Sequence, residues 1–192
     1  MAVLGSGVAG AVIARRLHDF GFEVAVYEQQ PIAALRKPEI SVAPQFLETL
    51  SAAGFPRMVH SLAPRQTESV QLLWGSLTPR SQPHRLWHFE RRTFESALRE
   101  TLAGCGIPMH AAVSGVTAAD FGARYLVDAT GRRSSRGQPV RLAASLLGIS
   151  SIWRPLAGPP EIPYLEANDH SWTWASPRSD GAVQVTVFGS PR

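Results

Sequence analysis

The stretch GSGVAGAVIARRLHDFGFEVAVYE, residues 5–28, decides how the rest of the chain is read. Its glycines, Gly5, Gly7 and Gly10, form the pattern G-x-G-x-x-G. Alone that pattern is weak, because glycine is common; its surroundings strengthen it. Ala2 to Leu4 are apolar and read as a short buried strand. From Val8 onward, Ala11, Val12, Leu17 and Phe20 recur at helical spacing, with Arg15, Arg16, His18 and Asp19 between them and Gly21 as the C-cap. Phe22, Val24, Val26 and Tyr27 then make a β-rich run that closes on Glu28. Strand, glycine turn, helix, strand and terminal acid together compose a dinucleotide-binding unit.

Each part has a physical task. Gly5 permits a tight turn, and Gly7 lets the backbone approach a pyrophosphate with no Cβ in the way. The helix N-terminus offers unpaired N–H groups and the positive end of its dipole to that anion. Glu28 is suited to accept hydrogen bonds from a ribose diol and, as a carboxylate, to repel a 2′-phosphate. Taken alone, the stretch leaves FAD and NAD both open, with a glycine-rich turn that holds no ligand as the alternative.

The 192 residues suffice for one good core, or for one domain with a lobe attached. Hydrophobic residues make up 44% and charged residues 18%, the balance of an ordinary globular protein. The net charge of +4 comes almost wholly from scattered arginines, Lys37 being the sole lysine. No basic stripe interleaved with aromatics is present, so nucleic acid is not an expected partner. The single cysteine, Cys105, excludes an internal disulfide and a C-x-x-C redox pair. His84 and His88 flank a strand-like segment and read as surface groups; no metal site is expected. No stretch reaches the roughly 18 apolar residues of a membrane span. Arginines follow the apolar N-terminus instead of preceding it, so the expectation is a cytoplasmic protein and not a secreted one.

Further along, Pro44 opens a helix carrying Phe46, Leu47 and Leu50 that stops at Gly54. SVQLLWGS and RLWHF read as strands. RRTFESALRETLAGCGI reads as a helix with Phe94, Leu98 and Leu102 on one face and Gly104 after it, and MHAAV as a strand returning to the main sheet. In YLVDATGRRS, residues 125–134, a buried strand ends at Asp128 and Gly131 permits a second close backbone approach. A second glycine-bearing strand end beside the first is where an open α/β sheet holds its ligand.

The N-terminal unit, an arginine opening a helix in WHFERRTFESAL, and VDATG, in that order, resemble the FAD-dependent monooxygenases related to p-hydroxybenzoate hydroxylase. KPEISVAP, residues 37–44, is similar to the G-E-S/T-x-x-P segment of the halogenase-like branch, with Pro38 in place of its glycine and Ile40 intervening. SWTWASP, residues 171–177, resembles the W-x-W-x-I-P motif of tryptophan halogenases, with Ser176 standing where isoleucine belongs. The order WGS, WH-x-D/E-R, VDATGRR and a tryptophan-rich strand is also similar to that of flavoproteins that mature quinone cofactors, the glycine-oxidase and lysine-oxidase maturases among them.

The resemblance implies an α/β fold: an FAD-binding, doubly wound Rossmann-like domain with a βαβ N-terminus over residues 1–148, with strands inserted near 68–89. An attached antiparallel β-sheet substrate lobe, incomplete, is implied over 149–192. It implies FAD as the cofactor, with Gly5, Gly7, Val8, Ala9 and Gly10 at the pyrophosphate and Glu28 on the adenosine ribose. Arg36 is implied near the phosphates, Arg91 near the flavin, Val113 at the adenine edge through its backbone, and Asp128 and Gly131 at the flavin end. A solvated loop arginine (Arg36), a first-turn surface arginine (Arg91) and a plain strand-to-turn aspartate (Asp128) remain the alternatives. Trp172 and Trp174 share one strand face and either line the wall above a flavin or pack the second sheet. GAVQVTVF, residues 181–188, reads as a strand with one buried face.

In complete family members, a C4a-hydroperoxyflavin transfers oxygen to an electron-rich substrate, here a small molecule or a protein side chain, after reduction by NAD(P)H or an external reductase. No catalytic acid or base is nameable from these residues. Halogenation is disfavoured, because RQTESVQLLW lacks the lysine that halogenases carry there. The family's downstream G-D segment does not occur before Arg192, and its β-meander before VDATG is abbreviated or absent. These departures make a fragment, a shortened paralogue or one part of a split protein the expectation. A non-catalytic flavin-binding remnant or accessory subunit is the rival reading. An NAD-dependent dehydrogenase is a third, and it leaves VDATGRRS unexplained.

Overall fold

The computed structural model describes residues 1–28, 39–56, 62, 64–75, 78–111, 119–131, 146–158 and 160–190. The chain divides into two compact units. One comprises residues 1–37, 45–63 and 91–139; the other comprises 38–44, 64–90 and 140–192.

The first unit is built on a parallel sheet of four strands: β1 (Ala2–Leu4), β2 (Ala25–Glu28), β6 (Met109–Ala111) and β7 (Leu126–Asp128), in the order β6-β2-β1-β7. Val3 and Val26 are in register at its centre and fully buried. Helix α1 (Val8–Asp19) joins β1 to β2, which gives the predicted βαβ start. It buries Gly10, Ala11 and Ala14, whereas Phe20, counted in the predicted apolar periodicity, is exposed, and it ends with the N–H groups of Gly21 and Phe22 bonded to His18 and Leu17. Phe22 therefore belongs to the helix cap, where it is exposed, and β2 begins three residues later at Ala25.

Helix α2 (Pro44–Ala52) buries Leu47 and Leu50, and Phe46 meets Phe94 of helix α3 (Arg91–Gly104), with ring centroids 6.4 Å apart. Phe94, Leu98 and Leu102 form the wholly buried stripe of α3. Gly104 lies inside this helix; Gly106 stops it, at φ +78°, where the left-handed turn needs a residue without a Cβ. The free thiol of Cys105 is met by the guanidinium of Arg15 from α1, against which α3 packs. Between β6 and β7 the described residues hold one 3₁₀ turn (Ala119–Phe121), whose Phe121 ring lies 4.0 Å from that of Tyr27. No meander strand occurs among the described residues there.

The second unit is a seven-stranded sheet of β3 (Ile40–Val42), β4 (Arg65–Trp74), β5 (Arg80–Phe89), β8 (Leu147–Trp153), β9 (Tyr164–Ala167), β10 (Ser171–Pro177) and β11 (Val183–Gly189). Its order is β3-β5-β4-β9-β10-β11-β8; every pairing is antiparallel except the parallel β4–β9. The strands expected near 68–89 hydrogen-bond in this sheet. β11 is a strand as predicted, but it does not bury one face alone: Val183, Gln184 and Thr186 are buried, while Val187 is exposed. That burial is satisfied: Gln184 Oε1 accepts the N–H of Glu39 at 2.7 Å, and the Thr186 hydroxyl meets that of Ser150 at 2.8 Å.

His88 departs furthest from its expected place on the surface: it is 4% exposed. Nδ1 faces the hydroxyls of Ser41 at 2.9 Å and Ser176 at 3.2 Å, and Nε2 faces that of Thr67 at 2.9 Å. Four strands are thereby tied to one imidazole. Burial, reinforced by the charge of Arg65, holds its pKa down at about 4, so the folded ring is neutral. Ser176, where a halogenase motif has isoleucine, supplies one of these hydroxyls.

Two outcomes follow from this packing. Leu98→Ala should lower unfolding stability by about 2–5 kcal/mol in denaturant titrations followed by far-UV circular dichroism. A neutral buried histidine stabilises fully above its ordinary pKa of 6.5, and the stabilisation is lost as pH falls from there toward 4. All five tryptophans lie in the second unit, so their fluorescence should report progressive destabilisation across that window. His88→Gln should flatten this pH dependence; an unchanged profile contradicts the assignment.

Candidate functional site

The first turn is set by contacts that leave no room for side chains. A Cβ on Gly10 would lie 1.9 Å from the carbonyl oxygen of Gly5. One on Gly5, whose φ is +90°, would lie 2.6 Å from the carbonyl oxygen of Ala129. The glycines thus bring the start of α1 against the end of β1, and both against the turn after β7. The N–H of Ala129 donates to the carbonyl of Leu4 at 2.8 Å, and Leu4 and Asp128 are register partners. The two glycine-bearing strand ends that the sequence singled out therefore adjoin at the carboxyl edge of one parallel sheet.

Gly7 differs from its two neighbours in the motif. A Cβ there would meet nothing within 4 Å, and its φ of −67° is open to any residue. It is the N-cap of α1 and makes no side-chain capping bond, and the first turn of α1 carries no acid. Space above Gly7, beside an uncapped helix N-terminus, fits an anion approached by backbone N–H groups. Val8 and Ala9 form the start of that turn, with Ala9 exposed. A dinucleotide's diphosphate suits this cradle in charge and in access.

Glu28 closes β2 beside the same turn. Its Oε2 accepts the N–H of Ser6 at 2.9 Å and the Ser6 hydroxyl at 2.8 Å, and Arg99 Nη2 of α3 lies 3.6 Å from it. Ser6 and Arg99 were not singled out in the sequence. The only signals for them were a hydroxyl residue between two motif glycines and a further arginine eight positions after Arg91. On the other side of β1, Asp128 Oδ1 accepts the N–H of Thr130 at 3.0 Å and its hydroxyl at 2.5 Å, which closes the turn leading to Gly131. Gly131 takes φ +70° with open space where a Cβ would stand.

Arg91 opens α3 and holds Glu95 at 3.0 Å within its own helix. Arg36 and Val113 lie outside the described residues. In the sheet unit, Glu39 of the KPEISVAP segment is a nearly buried carboxyl 3.7 Å from Arg178. Burial lifts its pKa above the ordinary value, against the opposing pull of Arg178 and Arg65. Trp172 and Trp174 do share a face, and Trp172 stacks on Phe188 at 3.8 Å.

A cavity of about 750 Å³ opens elsewhere in the first unit, lined by Met1, Ala2, Val24, Ala25, Pro108 and Ala123. Those residues mark the amino ends of the strands, the wrong edge of a parallel sheet for a dinucleotide. Among the described residues no cluster of side chains could hold a metal, and no helix is long and apolar enough to cross a membrane.

Residues 3–63 match the family described as NAD(P)-binding Rossmann-like domain. No curated protein matches the chain in sequence. Among solved structures, the chain is similar to the peptidyl tryptophan dihydroxylase QhpG, essential for tryptophylquinone cofactor biogenesis. The TM-score is 0.82 at 22% identity, over 98% of this chain and 45% of that one. It is similar to a flavoprotein/dehydrogenase from Cytophaga hutchinsonii at TM-score 0.79 and 21% identity, over 99% of this chain and 55% of that one. It is also similar to CmlS, a flavin-dependent halogenase, at TM-score 0.80 and 18% identity, over 98% and 41% of the two chains. The chain spans about half the length of the solved structures it matches. At these identities the likeness is one of fold: this is the fold of the flavin-dependent hydroxylases and halogenases, a Rossmann-like sheet unit with a second, mixed sheet.

Proposed function

We propose that the chain binds FAD and serves a flavin-dependent oxidoreductase of monooxygenase type. The observation that carries the reading is the meeting of the Gly5–Gly10 turn with the Ala129 turn, open at Gly7 where a diphosphate needs access. The fold shared with a peptidyl tryptophan dihydroxylase and a halogenase supports FAD over NAD as the dinucleotide. In this reading Gly5, Gly7, Val8, Ala9 and Gly10 hold the diphosphate, Glu28 takes the adenosine ribose, and Asp128 and Gly131 border the flavin end. Arg91, Arg36 and Val113 retain their proposed places near the flavin, the phosphates and the adenine.

FAD, when bound, supplies the redox and oxygen-activating chemistry, and the chain's residues bind and orient it. The N–H groups at the start of α1 offset the charge of the diphosphate, while Ser6 and Arg99 fix the Glu28 carboxylate. The substrate is a small molecule or a protein side chain, and NAD(P)H or a separate reductase delivers electrons. A quinone-cofactor maturation role fits the likeness to the tryptophan dihydroxylase. Halogenation is the weaker reading, because β4 carries no lysine. A flavin-binding module or accessory subunit is the second reading.

Purified protein supplied with FAD should retain flavin absorbance after gel filtration; colourless protein that prefers NAD contradicts the reading. Gly7→Val should leave the melting temperature nearly unchanged and weaken FAD binding by roughly tenfold or more, since it fills only the anion's approach. Gly10→Ala should instead destabilise the fold itself, because its Cβ meets the Gly5 carbonyl.

A further inference from the structure

We infer that Arg99 is a positioning residue for nucleotide recognition: from the third turn of α3 it holds Glu28 in the orientation that receives the adenosine ribose. The inference rests on the reading that the glycine turn binds FAD.

Three donors converge on one carboxylate oxygen. Ser6 supplies its N–H and its hydroxyl at 2.9 and 2.8 Å, and Arg99 supplies a cation at 3.6 Å. Ser6 belongs to the turn itself, so its two bonds tether the carboxylate to the cradle. Arg99 brings a positive charge to that same oxygen from another element, 71 residues further along the chain than Glu28.

The setting separates this pair from the intrahelical ion pairs of the same unit. Arg15–Asp19 and Arg91–Glu95 are i,i+4 pairs within single helices. Arg99 and Glu28 are 19% and 23% exposed and join α3 to the end of β2. The Nε of Arg99 is buried and has no hydrogen-bond partner among the described atoms. The fully buried Leu98 and Leu102 on either side fix the backbone from which Arg99 reaches.

The ribose 2′-hydroxyl distinguishes positioning from mere support. ADP and 2′-deoxy-ADP are titrated calorimetrically into the wild type, Arg99→Gln and Arg99→Lys, with FAD binding followed in parallel by flavin fluorescence. The wild type should prefer ADP by roughly tenfold, the worth of hydrogen bonding to a charged group. Arg99→Gln should lose most of that preference while binding 2′-deoxy-ADP within about twofold of wild type, and Arg99→Lys should restore part of it. An unchanged preference in Arg99→Gln, or an equal loss for both nucleotides, overturns the inference and leaves the FAD reading standing. Wild type that binds neither ADP nor FAD overturns that reading, and the inference with it.

Discussion

The structure depends on a steric constraint at one point: the backbone of the first turn runs so close to itself and to the turn after β7 that neither Gly5 nor Gly10 has space for a Cβ. Close approach is what lets α1 begin directly above the end of β1 and lets β7 lie beside β1 in register. It also orders the charges. The uncapped N-terminus of α1 points toward open space at Gly7, and β2, running parallel to β1, delivers Glu28 to the same edge. The chemistry available there is binding and orientation of an anionic ligand.

Polar burial governs the other unit. A sheet that buries His88, Thr67, Ser176, Gln184 and Thr186 must satisfy each of them internally, and the observed bonds do so in mutually dependent sets. Ser176 is the clearest case. As an isolated departure from a tryptophan-halogenase motif it looks like drift; beside His88 it is one of two hydroxyls that meet Nδ1. An isoleucine at that position would remove one of those partners from a buried ring.

Much of the first unit was legible because its signals are local. Glycine spacing, the stripe Phe94, Leu98, Leu102 and the VDATG strand all depend on residues a few positions apart. What escaped depends on partners far along the chain. His88 alternates with its neighbours as a surface residue would, and only Ser41, Thr67 and Ser176, brought together by strand order, make its burial possible. The burial of Gln184 in β11 was hidden for the same reason, since it looks solvent-facing until Glu39 is placed beside it. Arg99 reads as an ordinary helix arginine until α3 is laid against the sheet. Helix α3 outran Gly104 because a left-handed glycine two residues on ends it, and the sequence offered both glycines without a way to choose.

The most direct trial of the central claim is a crystal structure grown with FAD. The account predicts diphosphate density above Gly7, within hydrogen-bonding reach of the N–H groups that open α1, with the adenosine ribose at Glu28. Density for the nucleotide at the amino ends of the strands, or crystals that exclude FAD while the fold is intact, would contradict it.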